Sequence, residues 1–371
     1  MLIGVPKEVK VEEYRVGLTP YSVRELVAHG HEVIVQHNAA EAINFSDDAY
    51  IAAGARIFES AEDIYACADM IVKVKEPQSS EYHMIRPGQI LFTYLHLAPD
   101  PKQAEALIQS GCVAIAYETV TSPNGGLPLL TPMSQVAGRL SIQAGAHCLE
   151  KSAGGCGILL GGVPGVYSGK VAVIGGGVVG TNAVRMAMGK EAEVTVLDQS
   201  LRRLQELDFQ FGGRLNTAFS TEAAIEQYVM EADLVVGAVL VPGKAAPKLV
   251  THDMIKRMRP GSVVVDVAID QGGCFETSRP TTHKDPTFVL DGVVHYCVTN
   301  MPGAVARTST LALNNATLPF TIALADKGYK KAMLDDAHLL DGLNICEGHV
   351  TYQAVATDLN KDYKPALELL R

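Results

Sequence analysis

The chain has 371 residues, of which 47% are hydrophobic and 19% charged, a composition typical of packed globular proteins and not of disordered or fibrous ones. A chain of this length usually divides into about two domains. The net charge is −10 and the basic residues are scattered, which argues against nucleic acid or an anionic membrane surface as a partner.

The first part of the chain alternates short apolar runs with helical patterns. Strands are predicted where apolar and β-branched residues cluster, at residues 2–5, 31–36, 70–74, 90–95 and 113–117. Helices are predicted at residues 20–30, 46–54, 60–68 and 101–111, which begin with Pro or Ser and in several cases end near Gly. This alternation predicts a parallel sheet with helical crossovers.

A longer helix, from Pro132 to about Ser152, is predicted to lead into a second α/β unit. Strands of that unit are predicted at residues 171–174, 193–198, 232–239, 262–267 and 293–299. Beyond Asn300 the pattern is helical through Lys327 and again over residues 330–340, with no further strand series. We expect this tail to pack back on the first unit.

The most informative local motif follows the first strand of the second unit, where residues 170–180 read KVAVIGGGVVG. A G-x-G-x-x-G pattern between a buried strand and a helix is the arrangement that binds a dinucleotide. Gly175 permits the tight turn, Gly177 lets the backbone approach a pyrophosphate, and Gly180 allows the helix to pack closely on the strand. Free N–H groups at the helix start would face the phosphates.

An acid follows at the expected distance, because Asp198 ends the next strand 18 residues after Gly180. A carboxylate there can accept hydrogen bonds from the adenosine ribose and would repel the extra phosphate of NADP. The motif therefore predicts NAD as the cofactor, while the neighbouring Arg202 and Arg203 keep NADP open. The predicted fold is α/β, with two Rossmann-like domains of parallel sheets. Residues 129–304, the nucleotide-binding domain, are inserted in a discontinuous substrate domain of residues 1–128 and 305–371.

The seven cysteines show no C-x-x-C pair and no histidine at zinc-ligand spacing. We therefore expect reduced thiols and no metal site. The N-terminus carries charge where the apolar core of a signal peptide would lie, and glycines and Pro164 interrupt the longest uncharged stretch. A cytoplasmic protein without a membrane partner is predicted.

A dinucleotide site does not name a substrate, and candidate reacting groups come mainly from the first domain. Arg15 lies in an irregular stretch after the first strand, and its planar fork suits a carboxylate. Lys73 and Lys75 alternate near the end of a strand, so one of them should point toward the crevice at the carboxyl edge. His96 ends another strand and can serve as the acid/base. Asp270 closes a strand of the second unit and would also face the cleft.

Taken singly, each of these residues has an ordinary structural explanation. Lone arginines and lysines are mostly solvated, a lone histidine is more often structural than catalytic, and Asp270 could cap a turn. Their convergence at strand ends favours a site.

Six segments connect the sequence to a known family: IGVPKE at residues 3–8, RVGLTP at 15–20, VKVKEP at 72–77, YLHLA at 94–98, PMSQVAGR at 132–139 and NMPGA at 300–304. In these segments the chain closely resembles the alanine dehydrogenase family, over essentially its whole length. The resemblance implies that Arg15 and Lys75 hold the carboxylate and carbonyl of pyruvate or alanine, with His96 and Asp270 as the catalytic pair. With the two outer glycines of the turn, Gly175 and Gly180, the NAD-binding residues it implies are Ser134, Gly177, Val178, Val179, Asp198, Arg203, Ser220, Val239, Leu240, Val267, Ala268, Ile269, Asp270, Arg279, Val298, Thr299, Asn300 and Met301.

The reaction implied by the resemblance is reversible oxidative deamination of L-alanine to pyruvate and ammonia, in a homohexamer. Two alternatives remain open. One is the soluble NAD-binding subunit of a proton-translocating transhydrogenase, which would not need an acid/base at His96. The other is a non-catalytic NAD-binding sensor, which would not need Arg15, Lys75, His96 and Asp270 together.

Overall fold

In this computed structural model, residues 1–239 and 246–371 are described. They form two compact units, one of Met1–Met133 with Val305–Arg371 and one of Ser134–Ala304. Each unit is built on one sheet of mainly parallel strands with helical connections. The predicted α/β class is therefore confirmed.

The sheet of the first unit has six parallel strands in the order β3-β2-β1-β4-β5-β6. The strands are β1 (Leu2–Val5), β2 (Glu32–Gln36), β3 (Arg56–Phe58), β4 (Met70–Val72), β5 (Ile90–Thr93) and β6 (Val113–Ala116). The connecting helices are α1 (Pro20–Ala28), α2 (Asp47–Ala52), α3 (Ala61–Cys67) and α4 (Pro101–Ser110). The strand order changes direction between β1 and β4, which is where open α/β sheets bind their ligands.

Local sequence explains where these helices begin and end. The Thr19 side chain accepts a hydrogen bond from the backbone N–H of Ser22, and Pro20 occupies the first turn of α1. At α4 Asp100 caps the N-terminus in the same way, and Gly111 ends the helix with a φ of 67°. The start and stop signals in the sequence therefore work as predicted.

The second unit begins within α5 (Thr131–Cys148), and its seven-stranded sheet has the order β12-β13-β11-β10-β7-β8-β9. The strands are β7 (Lys170–Ile174), β8 (Glu193–Asp198), β9 (Leu215–Phe219), β10 (Leu234–Gly237), β11 (Val263–Asp266), β12 (Thr287–Leu290) and β13 (Val293–Tyr296). The other helices are α6 (Val178–Gly189), α7 (Leu201–Phe211), α8 (Glu222–Glu231) and α9 (His252–Arg257). All neighbouring strands pair in parallel except β12, which is antiparallel to β13.

The C-terminal tail corrects one expectation. It contains α10 (Ala306–Asp335), α11 (Ala337–Leu340), α12 (Gln353–Asp358) and α13 (Ala366–Leu370), but also β14 (Leu343–Cys346) and β15 (His349–Val350). The prediction of no strand after Asn300 was wrong, because β14 pairs antiparallel with β6 and extends the first sheet. The two helical stretches predicted through Lys327 and from Lys330 are parts of α10, which has a non-helical residue, Gly328, with a φ of 72° between them.

The strands at the centre of both sheets are fully buried and mainly apolar, as is usual when helices cover both faces of a parallel sheet. Each unit has its own hydrophobic core. Within the described ranges, none of the helices combines the length and the apolarity that a membrane span requires.

Candidate active site

In the first unit, three predicted site residues follow neighbouring parallel strands. Arg15 comes after β1, Lys75 three residues after the end of β4, and His96 three residues after the end of β5. Both strands are shorter than predicted, so Lys75 and His96 lie in loops and not in the strands themselves. Because parallel strands end at the same edge, the sheet brings all three residues to its carboxyl edge, Arg15 and Lys75 after the two strands that flank the switch point and His96 after the next strand.

Arg15 is almost completely buried and forms a bidentate ion pair with Glu13. Its Nε and Nη2 atoms donate to the two carboxylate oxygens of Glu13 at 2.6 and 2.5 Å, and Nη1 lies 3.2 Å from the Met133 sulfur. Burial lowers the pKa of Arg15, but the hydrogen bonds that it donates to Glu13 and the negative charge of Glu13 together more than offset the effect of burial, so the net shift is upward. The guanidinium is therefore a permanent, oriented positive charge.

The segment that follows Arg15 is held by helix α10 from the C-terminal tail. The Asn314 side chain accepts from the backbone N–H of Thr19 at 2.8 Å and donates to the Gly17 carbonyl at 3.1 Å. A Cβ on Gly17 would lie 2.2 Å from the Val72 carbonyl oxygen, so this segment packs directly on the end of β4. The tail thus fixes the backbone that carries Arg15.

The structure distinguishes the two candidate lysines. Lys73 is fully buried, with its Nζ 3.2 Å from Glu8 and 2.9 Å from Glu81. Lys75 is partly exposed, and burial together with the positive charge of Arg15 lowers its pKa. The positive charges of Arg15 and Lys75 repel each other, and a bound anion would relieve that repulsion, whereas the charge of Lys73 is already paired with Glu8 and Glu81. Lys75 is therefore the candidate substrate ligand and Lys73 is not.

His96 is held in a conformation that side chains rarely adopt. Its φ is 49°, in the left-handed region. The Glu118 carboxylate accepts from the backbone N–H groups of His96 at 2.6 Å and Leu95 at 3.2 Å, and lies 3.8 Å from the imidazole Nδ1. The imidazole stacks on the Tyr94 ring, with centroids 5.8 Å apart. Glu118 was missed by the sequence analysis, since nothing in the spacing connects it to His96.

In the second unit, each glycine of the turn has a distinct geometry. Gly175 has a φ of 101°, which only glycine adopts easily. A Cβ on Gly177 would meet nothing within 4 Å, whereas one on Gly180 would lie 1.8 Å from the Gly175 carbonyl oxygen. Gly177 is the N-cap residue of helix α6, and the helix has no side-chain capping bond. The first N–H groups of a helix lack partners within the helix, so those of α6 can donate to a bound ligand.

Asp198 ends β8 next to this turn. One of its oxygens accepts from the backbone N–H of Gly176 at 2.7 Å and the other from Ser200 at 2.8 Å. The Arg203 guanidinium donates to the Gly176 carbonyl at 2.7 Å, to the Thr181 hydroxyl at 2.6 Å and to Glu206 at 2.8 Å. Arg203 therefore braces the glycine turn.

Asp270 is exposed in the short 3-10 turn Ile269–Gln271, beyond the end of β11, and so does not close the strand as expected. Asp266, which the sequence did not single out, accepts hydrogen bonds from the segment that follows this turn. One Asp266 oxygen accepts from the N–H of Cys274 at 2.9 Å and from the Ser278 hydroxyl at 2.6 Å. Burial raises the pKa of Asp266. The Lys248 ammonium also donates to the Gly272 and Phe275 carbonyls, at 2.5 and 3.0 Å.

The other residues implied to contact NAD mostly follow strand ends at the same edge of the second sheet. Ser220 follows β9, Val239 follows β10, Val267, Ala268 and Ile269 follow β11, and Val298, Thr299, Asn300 and Met301 follow β13. Ser134 lies near the start of α5, and Leu240 is outside the described residues. Arg279 is exposed and stacks over Phe288, 4.3 Å from the ring centroid. In residues 1–239 and 246–371 no group of acidic, histidine and cysteine side chains is arranged to hold a metal ion.

Comparison with known proteins covers both units. The model described as alanine dehydrogenase/PNT, N-terminal domain, matches residues 4–137, and the corresponding C-terminal domain model matches residues 141–353. Over 370 residues the chain is 61% identical to the alanine dehydrogenase of Halomonas elongata, with 100% of both chains covered. It is 53% identical to that of Methanococcus maripaludis, again with 100% of both covered.

Solved structures show the same relationship. An L-alanine dehydrogenase matches with a TM-score of 0.95 at 52% identity, covering 97% of this chain and 99% of that chain. A transhydrogenase from Sinorhizobium meliloti matches with a TM-score of 0.82 at 24% identity, covering 95% of this chain and all of that one, which establishes a shared fold. With both domain models matched and full-length relatives above half identity, this chain belongs to the alanine dehydrogenase/PNT family, as its motifs indicated.

Proposed function

We propose that this protein catalyses the NAD-dependent, reversible oxidative deamination of L-alanine to pyruvate and ammonia. The observation that carries the proposal is the set of Arg15, Lys75 and His96 at one edge of a parallel sheet. Two cations suit an α-carboxylate and the adjacent oxygen, and the histidine suits proton transfer. Full-length relatives of 61% and 53% identity bear the name alanine dehydrogenase.

The second unit fits a dinucleotide. The open space beside Gly177 leaves room for a pyrophosphate, the uncapped start of α6 supplies N–H donors, and Asp198 stands at the position that engages the adenosine ribose. We propose that NAD binds here, held also by the remaining residues implied by the family resemblance. When bound, NAD supplies the nicotinamide C4 that accepts the hydride from the substrate Cα.

In the proposed mechanism, Arg15 orients the substrate carboxylate and Lys75 polarises the oxygen that becomes the pyruvate carbonyl. Alanine enters the hydride step with its amine deprotonated, which leaves an iminium. Water adds to the iminium carbon as His96 takes one of its protons, which gives a carbinolamine. His96 returns that proton to the nitrogen, ammonia leaves, and the remaining hydroxyl proton passes through His96 to solvent as the pyruvate carbonyl forms. Because Glu118 lies on the Nδ1 side of the ring, Nε2 is the nitrogen that exchanges this proton. We propose Asp270 as the second catalytic group, on the loop that Asp266 braces.

An absorbance assay tests the proposal. Purified protein mixed with NAD and L-alanine at alkaline pH should form reduced nicotinamide, and pyruvate with ammonium should consume it. His96→Ala should abolish turnover and leave NADH binding largely intact, while His349→Ala, at an exposed histidine on β15, should retain wild-type turnover. Hydride exchange between NADPH and an NAD analogue without alanine turnover would instead favour a transhydrogenase subunit. NAD binding with neither reaction would favour a sensor.

We further propose a cytoplasmic homo-oligomer, a hexamer by resemblance, with residues 1–128 and 305–371 as substrate domain and 129–304 as NAD domain. Four apolar side chains on the second unit, at Leu159, Val163, Val166 and Tyr167, are at least 54% exposed, which favours burial against another copy. Light scattering coupled to size-exclusion chromatography measures the mass, and a monomeric mass would refute this assembly.

A further inference from the structure

A cluster of buried charged side chains contacts the backbone of Lys75, the candidate substrate lysine. The Lys73 Nζ lies 3.2 Å from a Glu8 oxygen and 2.9 Å from a Glu81 oxygen, and all three side chains are at most 2% exposed. Burial raises the pKa of Glu8, whereas the two carboxylates raise the pKa of Lys73 against the effect of its own burial. None of these three residues has a role in the reaction described above.

Stability does not explain such a cluster. Removing three charged groups from water is costly, and an apolar set of similar volume often serves as well or better. One ammonium also cannot neutralise two carboxylates in full. Buried ionic groups of this kind call for a reason beyond packing.

The two glutamates have different contacts, and the difference suggests that reason. Glu8 Oε1 accepts from the backbone N–H of Val74 at 2.7 Å and of Lys75 at 3.3 Å. Glu81 instead accepts from the N–H of Gln78 at 2.7 Å and from the Tyr65 hydroxyl at 3.3 Å. Of these two carboxylates, Glu8 is therefore the one that holds the backbone of Lys75.

The opposite side of the same segment is joined to the strand that leads to His96. The Val74 carbonyl accepts from the N–H of Tyr94 at 3.3 Å, and the Lys75 carbonyl accepts from the Thr93 hydroxyl at 2.9 Å. With Glu8 on the N–H side and the β5 extension on the carbonyl side, the backbone of Lys75 has little freedom. A long flexible side chain gains precision when its own backbone is fixed.

We propose that Glu8, paired with Lys73, is a positioning residue that fixes Lys75 for the carboxylate and carbonyl of the substrate. This inference rests on the proposed function, because it assigns Glu8 to the substrate site of that reaction. Glu8 acts through Lys75 and does not touch the substrate. The positive charge of Lys73 opposes the effect of burial on the pKa of Glu8 and so favours the charged carboxylate.

Three variants separate positioning from stability. Glu8→Met keeps the length of the side chain and removes the acceptor, Glu8→Gln keeps an oxygen and removes the charge, and Glu81→Gln is the matched control that disturbs the same cluster without contacting Lys75. We expect Glu8→Met to raise KM for pyruvate on the order of tenfold, the size expected for loss of one charged hydrogen bond. Glu8→Gln should shift it in the same direction by less. KM for NADH should stay within about twofold in all three, and Glu81→Gln should leave KM for pyruvate unchanged even where its melting temperature falls.

A second readout does not require turnover. Trace acetylation of lysines by acetic anhydride, mapped by mass spectrometry as a function of pH, reports the titration of each amine. In the wild type Lys75 should titrate below its ordinary pKa of 10.5, because of burial and Arg15. Glu8→Met should move that midpoint upward as Lys75 leaves this environment, whereas simple loss of a nearby negative charge would move it downward. Glu81→Gln should leave the midpoint in place.

The outcomes are distinguishable. Equal changes in Glu8 and Glu81 variants would make the cluster purely structural and overturn the inference. So would a Glu8→Gln protein with wild-type KM and midpoint, including the case in which Glu8→Met does not fold. A wild-type protein that turns over neither alanine nor pyruvate would refute the proposed function, and the acetylation midpoints would still decide whether Glu8 positions Lys75.

Discussion

In the glycine turn of the second unit, adding one methyl group at Gly177 should affect cofactor binding, whereas adding one at Gly180 should affect the stability of the fold. A Cβ on Gly177 would contact nothing within 4 Å, and its φ of −65° is allowed for alanine. Gly177→Ala should therefore change the free energy of unfolding by no more than about 0.5 kcal/mol. If a pyrophosphate approaches this backbone, the methyl group displaces it and weakens the hydrogen bonds from the start of α6. The dissociation constant for NADH should then rise roughly tenfold to a hundredfold.

Gly180→Ala should have the opposite profile. Its Cβ would lie 1.8 Å from the Gly175 carbonyl oxygen, a backbone atom that cannot rotate away. Overpacking of this kind costs about 3 kcal/mol at the upper end of the usual range. The higher helix propensity of alanine offsets about 1 kcal/mol. We therefore expect Gly180→Ala to lower the free energy of unfolding by about 2 kcal/mol.

Urea unfolding and NADH titration measure the two effects. The chain contains no tryptophan, so the emission of bound NADH can be followed without indole background. Gly189→Ala is the matched control, because it lies in the same helix, has open space around its Cβ and is remote from the turn. Wild-type NADH affinity in Gly177→Ala would refute the pyrophosphate position. Wild-type stability in Gly180→Ala would refute the close helix–strand contact.

Three further changes test other parts of the site. Glu118→Ala leaves two backbone N–H groups without their acceptor, so it should lower the free energy of unfolding by about 2 kcal/mol. In steady-state assays kcat should fall about tenfold or more, because His96 is no longer held in place, and KM for NADH should stay unchanged. Because the pKa of Lys75 is lowered, the lysine loses its positive charge at a pH below the ordinary value of 10.5. The affinity for pyruvate, measured in the absence of ammonium, should therefore fall as the pH rises through the lowered pKa. Lys75→Arg should remove this alkaline loss, and its persistence would exclude Lys75 as the cause. Asp198→Asn should narrow the preference for NADH over NADPH on the order of tenfold, since it removes the charge that repels a 2′-phosphate. An unchanged ratio of the two affinities would contradict that role.

Local sequence was sufficient to predict the fold class. Apolar runs of three to six residues alternating with capped helices specify buried parallel strands, because these patterns reflect burial and capping that act over a few residues. The turn at Gly175 and the acid at Asp198 are also features that local sequence predicts. Their spacing along one strand–helix–strand unit is itself the geometry that a dinucleotide requires.

The choice between Lys73 and Lys75 shows where such reasoning ends. Alternation along a strand places the two side chains on one face and cannot say which of them has partners. That depends on Glu8 and Glu81, which lie 65 residues before and 8 residues after Lys73. The strand β14 was missed for a related reason, because a four-residue run becomes a strand only when β6 offers its free edge.

The sequence by itself therefore determined the two α/β units, the glycine turn, the acid after it and the polar residues that follow strand ends, since all of these depend on neighbours within a few residues. Only the tertiary structure decided that Glu13 orients Arg15, that Glu118 holds His96 in a left-handed conformation and that Asn314 from the tail clamps the segment after Arg15. These contacts depend on which side chains meet across the fold. Local sequence patterns do not predict these contacts, because hydrogen bonds between distant segments form only when packing brings their donors and acceptors together.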